Sequence, residues 1–229
     1  MKYFDIITIF PEVVEPYAGA SILGRAQKKR LIKIKAHDLR LFSKDKHKKV
    51  DDTPYGGGPG MLMTIQPIDS AVRKIKRKSL GKDTRVILTA ANGKVFKQSD
   101  AKRLSKYDQI VFICGRYEGV DYRVEEAIAD EVLSIGEYVL TGGELPALVI
   151  ADAIARNIPG VLGECESLIS ESHNVSGELE YPQYTKPEVY KFRKGLRTKE
   201  YKVPSILLSG DHAKIAQWRN EQSKNNNNS

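Results

Sequence analysis

Short apolar runs alternate with stretches of helical periodicity along the first two thirds of the chain. The apolar runs have the length and the β-branched content of strands, and they lie at 3–10, 31–37, 85–90, 109–115 and 132–135. Helical patterns occupy the intervening segments at 11–20, 21–30, 67–78, 97–107, 120–129 and 144–157. Because apolar runs closed by small residues are typical of buried parallel strands, this order predicts an α/β fold with helices on both faces of a parallel sheet.

The pattern changes after Pro159. Residues 160–185 lack sustained periodicity, which indicates a linker or an ordered functional loop. Helical patterns return at 186–192 and at 211–224, the second with Asp211 as its expected N-cap. We therefore expect three parts, which are an α/β domain (1–160), a linker (161–185) and a small helical domain (186–229).

The charge balance favours a polyanionic partner. The 229 residues include 37 Lys and Arg against 29 Asp and Glu, which gives a net charge of +8 and a pI near 9.3. The basic residues concentrate in three clusters, at 25–49, 73–82 and 186–202. Nucleic acid fits such clusters, although each cluster taken singly is equally a solvated surface.

Cysteine usage and the first residues bear on the compartment. Cys114 lies in an apolar run and Cys165 in a polar one, without a CxxC motif, so we expect reduced thiols, no zinc site and a cytoplasmic protein. The apolar run at the N-terminus contains Asp5 and stops at Pro11. It therefore resembles neither a signal peptide nor a membrane span.

Four glycine-bearing loops, three of them after predicted strands, suggest a ligand pocket; they lie at 55–60, 89–93, 114–119 and 134–144. In an open α/β sheet, ligands bind at the carboxyl edge of the strands, and glycine lets the backbone approach them. Turn geometry alone would also explain any one of these loops. A nucleoside triphosphate loop is excluded because Met61 stands where its lysine must be. A dinucleotide-binding motif is excluded too, because no GxGxxG follows the first strand.

Six longer motifs carry a family resemblance. They are DDTPYGGGPGM (51–61), CGRYEGVDYRVEE (114–126), SIGEYVLTGGELPALVIADAIAR (134–156), IPGVLG (158–163), YPQYTKPEV (181–189) and LLSGDHAKIAQWR (207–219). Together they resemble the bacterial tRNA (guanine-N1)-methyltransferases of the SPOUT superfamily. The resemblance implies a SPOUT-type parallel sheet with a deep C-terminal trefoil knot, followed by a small helical C-terminal domain.

The same resemblance implies a function. Members of this family are homodimers that transfer a methyl group from S-adenosylmethionine to N1 of guanosine 37 of tRNA, next to the anticodon, when guanosine 36 precedes it. This mark maintains the reading frame. A requirement for Mg²⁺ also fits the resemblance, although the sequence offers no dedicated ligand cluster for it. No membrane is involved.

Site residues follow from the resemblance by position. The expected cofactor-binding residues are Leu88, Thr89, Ala90, Gly115, Tyr117, Glu118, Ile135, Gly136, Glu137, Tyr138, Val139, Leu140, Gly142, Gly143 and Pro146. They coincide with three of the glycine loops. An acidic Glu118 near a sulfonium is electrostatically favourable.

The reaction also needs a base and a cation. N1 of guanine carries a proton at neutral pH, so a base must remove it while a cation stabilises charge on O6. The resemblance assigns the cation to Arg156; a simple helix C-terminal cation is the alternative. The family's linker aspartate is replaced here by Glu171, our candidate base, with His173 as a second candidate and Glu180 at the position of a later family acid.

Two further readings stay open. The chain could be a catalytically impaired RNA-binding protein of this fold, or a related SPOUT enzyme that methylates a ribose or another base. The segment 191–204 is longer and more basic than the family's linker, so we expect it to supply phosphate contacts.

Overall fold

The structure is a computed structural model that describes residues 1–76, 83–162, 180–195 and 197–226. The chain divides into two compact units, Met1–Cys165 and Glu166–Ser229.

The first unit is built around a five-stranded parallel sheet with the order β2-β1-β6-β5-β7. Its strands, with the short pair β3 and β4 that lies outside the sheet, are β1 (Lys2–Thr8), β2 (Ile32–Asp38), β3 (Asp51–Asp52), β4 (Leu62–Met63), β5 (Thr84–Val95), β6 (Gln109–Cys114) and β7 (Glu131–Ser134). Its helices are α1 (Pro11–Ala18), α2 (Ser21–Lys28), α3 (Ile65–Ile75), α4 (Gln98–Leu104), α5 (Arg123–Ala127) and α6 (Glu144–Arg156), with a 3-10 turn at Leu39–Phe42.

Alternating side chains of the central strands create two hydrophobic layers. On β6, Phe112 and its neighbours at even positions pack with α1, α2, α4 and α6, whereas Val111 and Ile113 pack with α3 and α5. Every residue of β6 is buried because helices cover both faces of the sheet. The predicted α/β fold with a parallel sheet is therefore confirmed.

Strand β5 is longer than the sequence pattern predicts. It continues beyond position 90, and its pairing with β7 shifts register between Thr89 and Lys94. Gly93 lies in this irregular stretch, where an added Cβ would come within 2.7 Å of the backbone nitrogen of Leu133. Glycine therefore lets the shifted part of β5 lie directly against β7.

The second unit is only partly helical. The predicted helix at 186–192 is wrong, because β8 (Val189–Lys194) pairs antiparallel with β9 (Arg197–Lys202). Aromatic and β-branched residues alternate with basic ones here, and this two-residue period fits a strand better than a helix. Gly195 adopts φ +62° in the turn between the strands.

Two helices follow this hairpin, α7 (Ser205–Leu208) and α8 (His212–Asn226), so the helix predicted at 211–224 is confirmed. The expected N-cap is confirmed too, since Oδ1 of Asp211 accepts a hydrogen bond of 3.2 Å from the amide of Lys214. Across the described residues, no helix combines the length and the apolar character that crossing a membrane requires.

Candidate functional site

A cavity of about 290 Å³ opens at the carboxyl edge of the sheet. Its walls come from the middle of β5 around Thr89, from the loop after β6, and from the segment between β7 and α6. These are three of the four glycine-bearing loops, and they meet because the parallel strands β5, β6 and β7 end at the same edge.

Most residues expected to bind a cofactor line this cavity. All do so except Gly136 and Glu137, which lie in the segment after β7 but not on the cavity wall. A Cβ on Gly136 would contact the ring of Tyr138, so this glycine supports a ring that does line the cavity. The remaining lining residues, which the sequence analysis did not single out, are Ala91, Asn92, Arg116, Gly119, Val120, Leu133, Ser134 and Thr141. Most of them lie within the glycine-bearing loops, and this position in the sequence is the feature from which they could be predicted.

The closest approach between loops occurs at Gly143. Its amide donates a hydrogen bond of 2.9 Å to the carbonyl of Gly115. An added Cβ on Gly143 would come within 2.8 Å of Cα of Cys114 and of the backbone nitrogen of Gly115. The hydroxyl of Thr89 lies 3.1 Å from the carbonyl of Gly143 and joins the third loop to this contact. Position 143 therefore requires glycine because the loops pack directly against one another there.

A buried ion pair fixes the same loops. Glu144, the first residue of α6, is 1% exposed and accepts a hydrogen bond of 2.9 Å from Nε of Arg116. Oγ1 of Thr8 donates to the same carboxylate at 2.6 Å, and Arg116 also donates to the carbonyl of Thr141 at 3.1 Å. The guanidinium group lies 4.7 Å from the centre of the Phe10 ring. Because a buried carboxylate is costly without such partners, this cluster clamps the loop after β6 to the start of α6.

The fourth glycine-bearing loop packs beside the cavity. The amide of Glu118 donates to the carbonyl of Met61 at 3.1 Å, and the amide of Met63 donates to the carbonyl of Gly119 at 3.0 Å. Gly60 adopts φ +81°, and a Cβ on it would come within 2.7 Å of Oε1 of Glu118. The loop at 55–60 therefore holds Glu118 in place.

The lining of the cavity suits a flat ligand with a polar edge. Leu88 and Leu133 are buried and form apolar wall, whereas Tyr117 and Tyr138 are half-exposed at its mouth. Glu118 is the one carboxylate among the lining residues. An apolar wall, backbone groups from three loops and one acid are the features of a nucleoside-type site.

Metal and thiol chemistry have little support in the described part of the chain. It contains no group of three or more His, Cys, Asp or Glu residues that could hold a metal ion, so it offers Mg²⁺ no dedicated site. Cys114 is fully buried, and burial raises the pKa of its thiol well above its ordinary value, which disfavours the reactive thiolate. Cys165 lies outside the described residues.

Among the expected catalytic residues that the structure describes, Arg156 does not line the cavity. Arg156 ends α6, whose beginning adjoins the cavity at Gly143 and Pro146. At 1.5 Å per residue, α6 places Arg156 about 18 Å from that end. Glu171 and His173 lie outside the described residues. Glu180 is partly buried in the second unit, 3.4 Å from the side-chain nitrogen of Gln183.

One face of α6 carries a stripe of residues that is exposed at its beginning and partly buried towards its end at Arg156. Leu145, Val149, Asp152 and Arg156 follow the helical repeat, and the two apolar members are about half exposed. Tyr17 on α1 extends this surface and donates a hydrogen bond of 2.5 Å to Oδ2 of Asp152. That hydrogen bond is the main reason why the pKa of Tyr17 is raised. The stripe and α1 together form an apolar surface beside the cavity end of α6.

The sequence is similar to known proteins over its whole length. It matches the model of the family described as "tRNA (Guanine-1)-methyltransferase TrmD" over residues 1–229. It is 50% identical to a tRNA (guanine-N(1)-)-methyltransferase of Ruminiclostridium cellulolyticum, over 96% of this chain and 90% of the relative. Proteins of the same name from Dictyoglomus turgidum and Thermomicrobium roseum are 50% and 49% identical, over 97% and 94% of this chain and 85% and 76% of the relatives.

Proposed function

Because the chain belongs to the tRNA (guanine-1)-methyltransferase family, we propose that it methylates N1 of guanosine 37 in tRNA that carries guanosine 36. We propose S-adenosylmethionine as the methyl donor. The observation that carries this proposal is the cavity at the carboxyl edge of the sheet, around which three distant glycine-bearing loops meet.

The cavity fits the proposed donor. Leu88 and Leu133 offer apolar wall for an adenine ring, and Gly115 and Leu140 line the same cavity. Glu118 offers negative charge to a cationic ligand. When bound, S-adenosylmethionine supplies an electrophilic methyl group on a sulfonium.

The chain's own residues then manage a proton and a charge. In our proposal the carboxylate of Glu171 accepts the N1 proton of guanine, and the guanidinium group of Arg156 stabilises the negative charge that develops on O6. His173 is the alternative base. A helix-terminal cation that only complements the dipole of α6 is the alternative role for Arg156.

We further propose that the active site is shared between two copies of the chain. Arg156 lies about 18 Å along α6 from the cavity of its own copy. If the exposed faces of two α6 helices pack antiparallel about a twofold axis, Arg156 of the partner subunit comes to the cavity end of the first helix. The exposed Leu145, Val149 and Tyr17 provide apolar surface for this contact.

A trefoil knot in the first unit is part of the same proposal. The segment between β7 and α6 crosses the end of β6, where Gly143 bonds to Gly115 and contacts Thr89. This crossing supports a chain that is threaded before α6 begins. The second unit, with its basic hairpin, is proposed to bind the tRNA.

Mass spectrometry of unmodified tRNA tests the proposed function. After incubation with the protein and S-adenosylmethionine, we expect one methyl group on the base of guanosine 37, and none in a matched transcript with adenosine at position 36. A methyl group on a ribose or on another base would identify a related SPOUT enzyme. Binding of the tRNA without transfer would identify an RNA-binding protein instead.

Subunit mixing tests the shared site. Arg156→Ala and Gly143→Ala chains should each be inactive alone, the first without its cation and the second without a properly formed cavity. A random mixture places one complete site in the mixed half of the dimers, so about a quarter of wild-type activity should return. No recovery in mixtures whose exchange is verified would place Arg156 and the cavity of one site in the same copy.

A further inference from the structure

The hairpin of the second unit has two chemically different faces. In its register Tyr190 pairs with Tyr201, and Phe192 pairs with Lys199, and directly paired residues share a face. Because side chains alternate along each strand, Arg197 lies on this face too. We call Tyr190, Phe192, Arg197, Lys199 and Tyr201 the aromatic face.

The aromatic face exposes its rings to solvent. Tyr190, Phe192 and Tyr201 are 57%, 46% and 50% exposed. Nζ of Lys199 lies 4.8 Å from the centre of the Tyr201 ring, a cation-π contact that holds the ammonium group over the face. The five residues of this face include no carboxylate. Large rings and cations are therefore presented together without local neutralisation.

The opposite face differs in both respects. It consists of Val189, Lys191, Arg193, Thr198, Glu200 and Lys202, and it carries no aromatic residue. Glu200 lies 3.3 Å from Nζ of Lys191 and 3.7 Å from Nζ of Lys202, so two of its cations are partly neutralised. Three cations against one carboxylate on this face and two cations on the aromatic face give the same net charge of +2, so the exposed rings beside the cations are what distinguish the aromatic face.

A second cavity adjoins the open end of the aromatic face. It has a volume of about 250 Å³, and Tyr190 and Tyr201 line it together with Tyr184 and Lys186. Three tyrosines around one hollow offer flat surfaces between which a planar ring can insert. The aromatic face thus leads from exposed rings into a recess with three tyrosines, whose lining also includes Glu188 and Lys202.

We propose that the aromatic face binds unpaired nucleotides of the tRNA substrate, with bases stacked on Tyr190, Phe192 and Tyr201 and phosphates at Arg197 and Lys199. Stacking requires bases whose faces are free, as in a loop and not in a duplex. A protein partner fits less well, since the centres of protein interfaces are depleted of lysine. This inference rests on the proposed function only in taking tRNA as the substrate.

Fluorescence anisotropy with two RNA probes tests the inference. The probes are a single-stranded oligoribonucleotide and a duplex of equal length, titrated without methyl donor over a range of salt concentrations. Tyr190→Leu with Phe192→Leu removes two rings while it keeps the charge and the apolar character of the two positions. We expect binding of the single strand to weaken at least about tenfold, and binding of the duplex to stay nearly constant.

A pair of charge variants provides the matched comparison. Arg197→Gln with Lys199→Gln removes two cations from the aromatic face, and Lys191→Gln with Arg193→Gln removes two from the opposite face. We expect the slope of log K against log salt for the single strand to fall by about 1.4 in the first variant, since each phosphate contact contributes about 0.7. In the second variant the slope should change by less than half as much.

Three results would overturn the inference. One is unchanged single-strand affinity in the ring variant, and another is an equal change of slope in both charge variants. The third is a ring variant that sediments as a monomer where the wild type is a dimer, which would make this face a protein interface. Methyl transfer is measured separately, so a wild-type chain that binds RNA but transfers no methyl group contradicts the proposed function alone.

Discussion

The two units differ in the interactions that stabilise each of them internally. Met1–Cys165 contains two hydrophobic layers on either side of a parallel sheet, and residues such as Phe4, Ile6 and Phe112 are completely enclosed. Among the described residues of the second unit, none is buried. A short hairpin and a helix are marginally stable by themselves. The second unit therefore depends on strand pairing and on surface contacts, such as the Tyr184 and Trp218 rings 6.5 Å apart.

This difference separates the two tasks of the molecule. The cavity for the proposed methyl donor is built from backbone that the buried core holds in place, because its three loops follow directly from buried strands. The basic and aromatic side chains that we propose bind RNA lie on the second unit, where they are exposed and contribute little to packing. Substitutions should accordingly affect stability in the first unit and affinity in the second.

A matched pair of phenylalanine deletions gives the largest contrast. Phe112→Ala empties a fully buried site on β6 and should lower the free energy of unfolding by about 3–5 kcal/mol. Phe192→Ala removes the same side chain from β8, where it is 46% exposed, and should change that free energy by less than about 0.5 kcal/mol. Chemical denaturation followed by circular dichroism measures both. Similar losses of unfolding free energy in the two variants would show that Phe192 contributes to a packed core despite its exposure.

Two ion pairs sharpen the comparison. Arg116→Ala leaves the buried carboxylate of Glu144 without its cation and should cost about 3 kcal/mol of stability. Lys191→Ala breaks the exposed pair with Glu200 in the second unit and should cost less than about 0.5 kcal/mol. The same denaturation experiment measures both variants. If Arg116→Ala is as mild as Lys191→Ala, the clamp on the cavity loops is not needed for folding.

The proposed proton transfer depends on a residue near the start of the second unit in sequence. Glu171→Gln keeps the shape of the side chain but cannot accept a proton, so kcat should fall about 10²-fold while the affinity for S-adenosylmethionine stays unchanged. Glu171→Asp should retain activity. Single-turnover methylation at saturating tRNA measures these effects.

His173→Ala is the control for this assignment and should have a small effect. If the histidine is the base, His173→Ala will abolish methylation, Glu171→Gln will be mild, and the acidic limb of kcat will lie near pH 6.5. A result in which neither substitution matters would assign the proton transfer to another residue.

How far the sequence predicted the structure also differs between the units. In the first unit, short apolar runs such as 110–114, rich in β-branched residues, favour buried strands, and the glycine-bearing loops lead to most of the cavity lining. In the second unit the pattern at 186–192 predicts a helix, whereas Val189–Lys194 forms the first strand of the hairpin. A short segment with three basic residues has no buried face, so its period is weakly defined.

Other parts of the site could not be predicted for geometric reasons. Arg116 and Glu144 are 28 positions apart, and only the fold brings them to 2.9 Å. The separation of Arg156 from the cavity follows from the length of α6, which motif matching does not consider. Contacts between distant loops and distances along elements are properties of the assembled fold, whereas glycine motifs report local backbone needs.

The smallest effect that we predict is on the stability of the fold at acidic pH. On the first unit, Glu131 accepts hydrogen bonds from Arg103 at 2.7 Å and from Arg85 at 2.6 Å. Burial opposes its ionisation, but these hydrogen bonds outweigh burial and hold the pKa of Glu131 below its ordinary value of 4.5. A carboxyl group whose pKa is lowered by folding stabilises the folded state above its unfolded pKa and loses that contribution as pH falls through the folded pKa.

The stability advantage of the wild type over Glu131→Gln should therefore be largest above about pH 5 and should narrow as pH falls below about 4.5, because protonation then removes the charge from the wild type too.

Asp211 of the second unit is the control. Hydrogen bonds from the Lys214 amide and side chain lower its pKa as well, but its carboxylate is exposed to solvent, so Asp211→Asn should leave the acid dependence of unfolding nearly unchanged. Denaturation midpoints between pH 3 and pH 7 measure both variants. An advantage of constant size for Glu131 would mean that its hydrogen bonds do not depend on its charge, and a large effect at Asp211 would break the contrast between a unit held by buried contacts and one held at its surface.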